Sequence, residues 1–498
     1  MRFHRLLTAA LAAAVLLSAC GPAADLPTAA PALQVGQLTF EPCSLNVARV
    51  DAVEAQCATL AVPENHDAPD GRQIELAIAW IPAVGEAEPD PIMMIAGGPG
   101  QSALESYPMV HAAFADARRS RNMLLVDARG TGRSHPLQCE DEEGGSDLFE
   151  ADLTPDAAGL FAGRCRDTLA RTADLRYYTT GDHIRDLDLV RERMGIAQLN
   201  LVGVSYGTRV AQQYAKRYPT RTRTIALDSV VPNSLVLGQE HAGNLEAALQ
   251  QQFARCAGDT ACTANLGDIG AKLARVRDTL RGGGLPAVRY RDPVSGAWRS
   301  DVPNYGHLAL LLRLYAYQPQ AAAMLPLIVH DAAQGHYESL LAQSRAIYTT
   351  VSGSMAHGMS LSVSCSEDTE LVPLPADAAT VMGSDFVDFV LAQCAAWPKG
   401  ERAADFREPL AGDVPVLAIS GEFDPVTPPR YGDAVIAHLR NGRHLVLPGQ
   451  GHSVLGIGCM PKLYAQFVES ADATALDADC LQRLKPTPPF AGTYGWEP

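Results

Sequence analysis

The chain has 498 residues, of which 47% are hydrophobic and 19% charged, with 42 glycines, 34 prolines and 11 cysteines. That profile excludes a disordered chain and a coiled coil, and leaves room for about two to four domains or for one large α/β domain with an insertion. Forty basic against 56 acidic side chains give a net charge of −16, which lacks the basic footprint a nucleic-acid partner requires.

Arg2 and Arg5 precede an apolar run from Leu6 to Ala19, shorter than the roughly 20 residues that span a bilayer as a helix. Charge followed by a short apolar run is the layout of a secretory leader. Leu17-Ser18-Ala19-Cys20 resembles the lipobox of bacterial lipoproteins. The resemblance implies residues 1–19 as signal peptide and Cys20 as the lipidated first residue of an exported chain anchored to the cell envelope. Gly21 after the cysteine resembles lipoproteins of the outer membrane or its periplasmic face. Residues 20–34, rich in Ala and Pro, read as a tether.

Strand-like apolar runs then recur at 75–82, 91–96, 122–127, 199–204, 224–228, 414–420 and 443–447, each closed by turn residues. A helix is expected from His183 to Met194, where Ile184, Leu187 and Val190 recur every third residue. Continuous apolar strands alternating with helices predict an α/β fold, a mostly parallel sheet covered by helices on both faces. The interval 234–400 is Ala/Leu-rich and lacks such runs. It reads as a helical cap inserted between a first core part, 35–233, and a C-terminal core part, 401–498.

Setting Cys20 aside leaves ten cysteines, an even number that in an exported chain argues for disulfides. They fall into neighbouring couples, so sequential pairing is the simplest expectation: Cys43–Cys57, Cys139–Cys165, Cys256–Cys262, Cys365–Cys394 and Cys459–Cys480. No Cys-x2-Cys pair occurs and no histidine stands at ligand spacing from two cysteines, so neither a metal site nor a cofactor is expected.

Gly203-Val204-Ser205-Tyr206-Gly207 lies between the run LNLVGV and a helical stretch beginning at Thr208. Strand, sharp turn and helix are the context of a nucleophile elbow. A serine hydroxyl needs a histidine to take its proton, and the histidine needs an acid to hold it in place. His452, in Gly449-Gln450-Gly451-His452-Ser453, and Asp424, directly after VPVLAIS, follow the last two apolar runs in the order nucleophile, acid, base. Asp228, ending TIALD, is the competing acid and more plausibly caps a turn; His444 is expected to be structural. The loop Gly97-Gly98-Pro99-Gly100 and the backbone N–H of Tyr206 are candidate oxyanion donors.

Together, Gly97-Gly98-Pro99-Gly100-Gln101-Ser102, Asp127-Ala128-Arg129-Gly130-Thr131-Gly132-Arg133-Ser134, GVSYG, Gly421-Glu422-Phe423-Asp424-Pro425-Val426-Thr427-Pro428 and GQGHS resemble the proline iminopeptidase and tripeptidyl aminopeptidase family of α/β hydrolases. The resemblance runs from about residue 75 to 490. It implies Ser205 as nucleophile, Asp424 as acid, His452 as base, and oxyanion donors from the 97–98 loop and Tyr206. Two departures are Ala96, where many members carry histidine, and Ala128 within the Asp-Gln-Arg motif. Members that act on peptides hold the substrate's amino terminus with cap-side carboxylates, a role for which Glu367, Asp368 and Glu240 are the candidates here. The implied activity is removal of amino acids or short peptides from the amino end of peptide substrates through an acyl-enzyme. An esterase or lipase on the same triad is the first alternative, and a non-catalytic binding lipoprotein the second. Oligomeric state is not legible.

Overall fold

The computed structural model describes residues 32–139, 154–351, 353–375 and 380–496. Cys20, the leader and most of the tether lie outside them. The strands in chain order are β1 (Leu33–Val35), β2 (Leu38–Leu45), β3 (Val53–Pro63), β4 (Gln73–Ile81), β5 (Ile92–Ile95), β6 (Met123–Val126), β7 (Leu199–Val204), β8 (Thr222–Asp228), β9 (Val288–Arg291), β10 (Trp298–Asp301), β11 (Val416–Gly421) and β12 (Gly442–Leu447). Ten of them form one sheet in the order β1-β2-β3-β4-β6-β5-β7-β8-β11-β12, while β9 and β10 make a separate hairpin. Strands β1 to β4 run antiparallel, β4 joins β6 antiparallel, and β6 through β12 are parallel.

The seven apolar runs read from the sequence are β4, β5, β6, β7, β8, β11 and β12. Their residues alternate between two cores, as the twofold period of a strand demands. Met93, Ile95, Leu124, Val126 and Leu201 face one, and Ile92, Met94, Met123, Leu125 and Val202 face the other. The first core is closed by α2 (Pro155–Leu169), α3 (Thr180–Arg193) and α4 (Tyr206–Arg217), the second by α1 (Ala103–Val110) and, near the C-terminus, Met460–Ser470. Leu33 and Gln34, read as tether, instead pair with Phe40 and Thr39, because the chain doubles back through a two-residue turn at once.

Between β8 and β11 stand α5 (His241–Gly258), α6 (Thr260–Leu266), α7 (Ile269–Gly282), α8 (Tyr305–Tyr315), α9 (Pro319–Ala322), α10 (Leu325–Ala333), α11 (Glu338–Val351), α12 (His357–Glu367) and α13 (Asp385–Ala396). Helices α5 to α11 bury Leu249, Leu273, Leu308, Leu312 and Val329 in a core of their own. Helix α12 does not join it: Met359, Val363 and Cys365 pack into the first sheet core. After β11 come α14 (Pro429–Ile436), before β12, and α15 (Met460–Ser470). The chain then returns to the inserted helices, where Phe490 N–H bonds the Ala323 carbonyl at 2.8 Å.

All five cysteine couples are bridged, closing separations of 14, 26, 6, 29 and 21 residues. Loops of that size are worth about 2–4 kcal/mol each through the unfolded chain. Cys365–Cys394 ties α12 to α13, so the helix that enters the sheet core is fastened to the last inserted helix.

Candidate active site

Ser205 sits between β7 and α4 with φ 54° and ψ −122°, a backbone region that costs a non-glycine residue about 1–3 kcal/mol and persists only where its surroundings hold it. They do so here. Ser205 N–H donates to the Asp228 carbonyl at 2.8 Å, and the Thr208 hydroxyl and N–H donate to the Ser205 carbonyl at 2.6 and 2.9 Å. The flanking glycines are steric necessities: a Cβ on Gly203 would lie 2.3 Å from the Gly207 carbonyl oxygen, and one on Gly207 2.3 Å from that of Ile95. This crowding brings strand β5 and the glycine loop after it against the serine.

Asp424 follows β11 and His452 follows β12, so both stand at the carboxyl edge of the sheet, as Ser205 does. Both are buried, and His452 Nδ1 is 2.8 Å from Asp424 Oδ2. Asp424 also accepts from the N–H groups of Val426 and Thr427 and from the Thr427 hydroxyl at 2.8 Å. Burial would push its carboxyl up, but the His452 charge and these bonds outweigh it and hold the group below the usual carboxylate range. Burial likewise opposes charge on His452, yet Asp424, with help from Asp228, raises it above the ordinary imidazole value.

Asp228 is engaged with backbone N–H groups. Its carboxylate accepts from the N–H groups of Val454 and Leu455 at 2.9 and 3.0 Å, and the neighbouring Ser229 hydroxyl accepts from Ser453 N–H at 2.8 Å. It therefore pins the turn that carries His452 to the strand that follows the elbow. From the other side His452 N–H donates to the Tyr317 carbonyl at 2.8 Å, with the two rings edge to face at 4.9 Å. His444 bridges Asp433 and Ser420 at 2.8 and 3.0 Å, a structural role.

The loop Gly97–Gly100 passes directly beside the elbow, since a Cβ on Gly97 would come within 3.1 Å of Ser205 Cβ. Tyr206 opens α4, where first-turn N–H groups have no acceptor within the helix. The Asp127 motif orders the far end of the glycine loop: Asp127 accepts from the Ser102 hydroxyl at 2.6 Å and from Leu104 and Arg133 N–H. Arg129, fully buried, is matched by Asp186 at 2.6 Å.

Two family models match the chain: one for the α/β hydrolase fold over residues 90–306 and one described as TAP-like protein over residues 379–480. The serine protease Hip1 of Mycobacterium tuberculosis is 26% identical over 465 residues, covering 86% of this chain and 87% of that one. Tripeptidyl aminopeptidase of Streptomyces lividans is 24% identical over 468 residues, covering 87% and 85%. Carboxylesterase B of M. tuberculosis is 27% identical over 270 residues, about half of each chain. This chain is an α/β hydrolase whose C-terminal part, residues 379–480, matches the TAP-like model.

Not every expected residue of the hydrolase reaches this edge. Glu367 and Asp368, expected on the substrate side, are turned inward at the end of α12 and are 1% and 4% exposed. Asp368 is spent on Arg209 and Arg407, at 3.4 and 3.0 Å, and on Leu237 N–H. Glu367 accepts from the Thr180 N–H and hydroxyl, and that hydroxyl lies 2.6 Å from the phenol of Tyr206. Burial, opposed by the Thr180 bonds and Arg209, pushes the Glu367 carboxyl up to about 7. Neither carboxylate is presented as a free anchor; α12 carries them into the sheet core instead. Glu240 is exposed, paired with Arg430 at 2.9 Å and with the Tyr431 hydroxyl at 2.8 Å.

Sequence alone assigns no role to Thr427 or Tyr317. Thr427 bridges acid and base, its hydroxyl lying 2.8 Å from Asp424 and 3.2 Å from His452 Nδ1. Its sequence signal is its place in the Gly421–Pro428 motif, three residues after the acid and ahead of a proline. Tyr317 carries no sequence signal at all, because its role depends on how the inserted helices dock.

Proposed function

We propose that this hydrolase is a serine peptidase that removes amino acids or short peptides from the amino end of its substrates. The observation that carries the reading is the buried Asp424–His452 couple at 2.8 Å, at the sheet edge where the strained Ser205 elbow ends. His452 Nδ1 is committed to Asp424, which leaves Nε2 as the base for the Ser205 hydroxyl. Ser205 Oγ adds to the scissile carbonyl, and the resulting oxyanion is met by N–H groups of the Gly97–Gly98 loop and of Tyr206. As the intermediate collapses, His452 returns the proton to the leaving amine. Water then enters by the same route, His452 taking its proton, and releases the acyl fragment.

The relatives named serine protease and tripeptidyl aminopeptidase support a peptide substrate, and the relative named carboxylesterase supports an esterase as second reading. Of the three acidic candidates for the substrate's amine, Glu240 is the exposed one, next in sequence to His241, whose ring feels the His452 charge. Comparing free and acetylated tripeptidyl anilides with nitrophenyl esters separates the readings. A charge-assisted amine contact predicts a preference of about 10–100-fold in kcat/KM for the free peptide. Equal turnover of both anilides, with faster ester cleavage, would favour the esterase.

We also propose export and lipid anchoring at Cys20. The leader pattern and the five disulfides, which need an oxidising compartment, support it. Among the described residues no helix is long and apolar enough to cross a membrane. In the full chain expressed in a bacterium, Cys20→Ser should lose incorporation of labelled palmitate and leave the membrane fraction; a variant that still labels and sediments would refute the anchor.

A further inference from the structure

On the side of His452 away from Asp424, the inserted helices bring up a cluster that the triad chemistry does not use. Tyr317 packs edge-on against His452 at 4.9 Å, and its buried phenol feels the charge of Arg313 of α8. The Arg313 guanidinium lies 4.3 Å from the Phe386 ring centroid, and the other neighbour of that ring is His241, at 5.3 Å. His241 has both ring nitrogens buried and without a hydrogen-bond partner among the described residues. Burial, and the positive charges of Arg313 and His452, push that imidazole down to about 3, so it stays neutral.

Among the described residues, Arg313 has no carboxylate partner; of the acids on the adjoining elements, Asp385 is paired with Arg281 at 2.7 Å and Glu240 with Arg430 at 2.9 Å, Glu246 accepts from Val381 N–H, and Asp388 of α13 makes no ion pair to Arg313. A half-buried guanidinium stacked on an aromatic ring is held in orientation, and its remaining N–H groups form a fork that fits a carboxylate. His241 adds a neutral nitrogen that can accept or donate beside it.

Resting on the peptidase reading, we infer that Arg313, with His241 beside it, is a subsite for a carboxylate on the leaving fragment of the substrate. The leaving fragment is singled out because its amine must lie against His452 to receive the proton, and Arg313 stands beside the Tyr317 that packs on His452. The carboxylate belongs either to the free carboxyl terminus of a short peptide or to an acidic side chain just after the cut. Arg313 is thus a specificity residue: it touches substrate at a distance from the reacting atoms.

The test measures kcat/KM of the full chain on three tetra-alanine-based peptides: free acid, carboxyl amide, and amide with glutamate in the last position. Wild type should prefer one or both anionic peptides over the neutral amide by about 10-fold or more, the usual scale for a charged hydrogen bond. Preference for the free acid alone assigns the terminal carboxylate; preference for the glutamate amide assigns the side chain. Arg313→Gln should abolish the preference by raising KM for the anionic peptide about 10-fold more than for the neutral amide, and an unchanged melting temperature shows that the variant is folded. Arg313→Lys should keep part of it. Equal rates on all three peptides by wild type, or an undiminished preference in Arg313→Gln, would overturn the inference. If no peptide is cleaved the peptidase reading fails instead. The same comparison then uses acetate esters of 4-hydroxybenzoate and 4-hydroxybenzamide, where loss of the anionic preference in Arg313→Gln decides.

Discussion

Replacing Ser205 by alanine should lower kcat on any substrate of this hydrolase by about 10⁴-fold or more, with the melting temperature unchanged or raised. The size follows from the mechanism: without the hydroxyl there is no acyl-enzyme, and what remains is the modest acceleration that oxyanion donors and binding supply. The stability argument follows from the backbone. Alanine carries the same φ 54° penalty as serine, the N–H bond to Asp228 is kept, and no hydrogen bond that holds the elbow is made by the serine side chain. A folded variant with activity near wild type would remove Ser205 from the mechanism, and with it the triad. A fluorophosphonate probe that labels wild type but not the variant gives the same answer without a substrate.

Asp424→Asn should be nearly as damaging, about 10⁴-fold in kcat, and it changes the pH dependence in a direction that can be worked out. His452 acts as base only when neutral, so kcat/KM rises with pH through the His452 pKa. In wild type Asp424 holds that pKa above the ordinary value near 6.5, against burial. With asparagine the burial effect is unopposed except by Asp228, and the acid limb should move to lower pH while the plateau falls. Stability responds in a different window. A raised histidine contributes stability that is fully present below its unfolded pKa, near 6.5, and is lost as pH rises through the folded one. A depressed aspartate contributes stability present above its unfolded pKa, near 3.8, and lost as pH falls. The melting-temperature gap between wild type and Asp424→Asn should therefore be widest between about pH 4 and 6.5. A gap that grows steadily toward alkaline pH would show that the buried pair does not hold the loop together.

The parts of this hydrolase that were legible in its sequence share a physical cause. Strands β5, β6 and β11 are buried along their whole length and β7 along all but its last residue, so each is a short apolar run, and Ser205 and Asp424 stand in the turns that close such runs. Strands β1 to β3 were missed because they lie at the antiparallel end of the sheet. There only alternate residues of β2 and β3 are buried and polar residues break the pattern. Glu367 and Asp368 were misplaced for a related reason: two adjacent acids look solvated, and only the packing of α12 into the sheet core shows that Thr180, Arg209 and Arg407 take them up. Thr427, Tyr317 and Arg313 depend on how separate elements dock, and no periodicity records that.

The bond from His452 N–H to the Tyr317 carbonyl ties the general base to the inserted helices, and the fit is close: a Cβ on Gly451 would lie 2.2 Å from that carbonyl oxygen. The insertion therefore cannot swing outward as an independent lid, because the segment between α8 and α9 would pull the base's loop with it or break the bond. If His452 is the base, any movement of these helices is coupled to its alignment with Ser205.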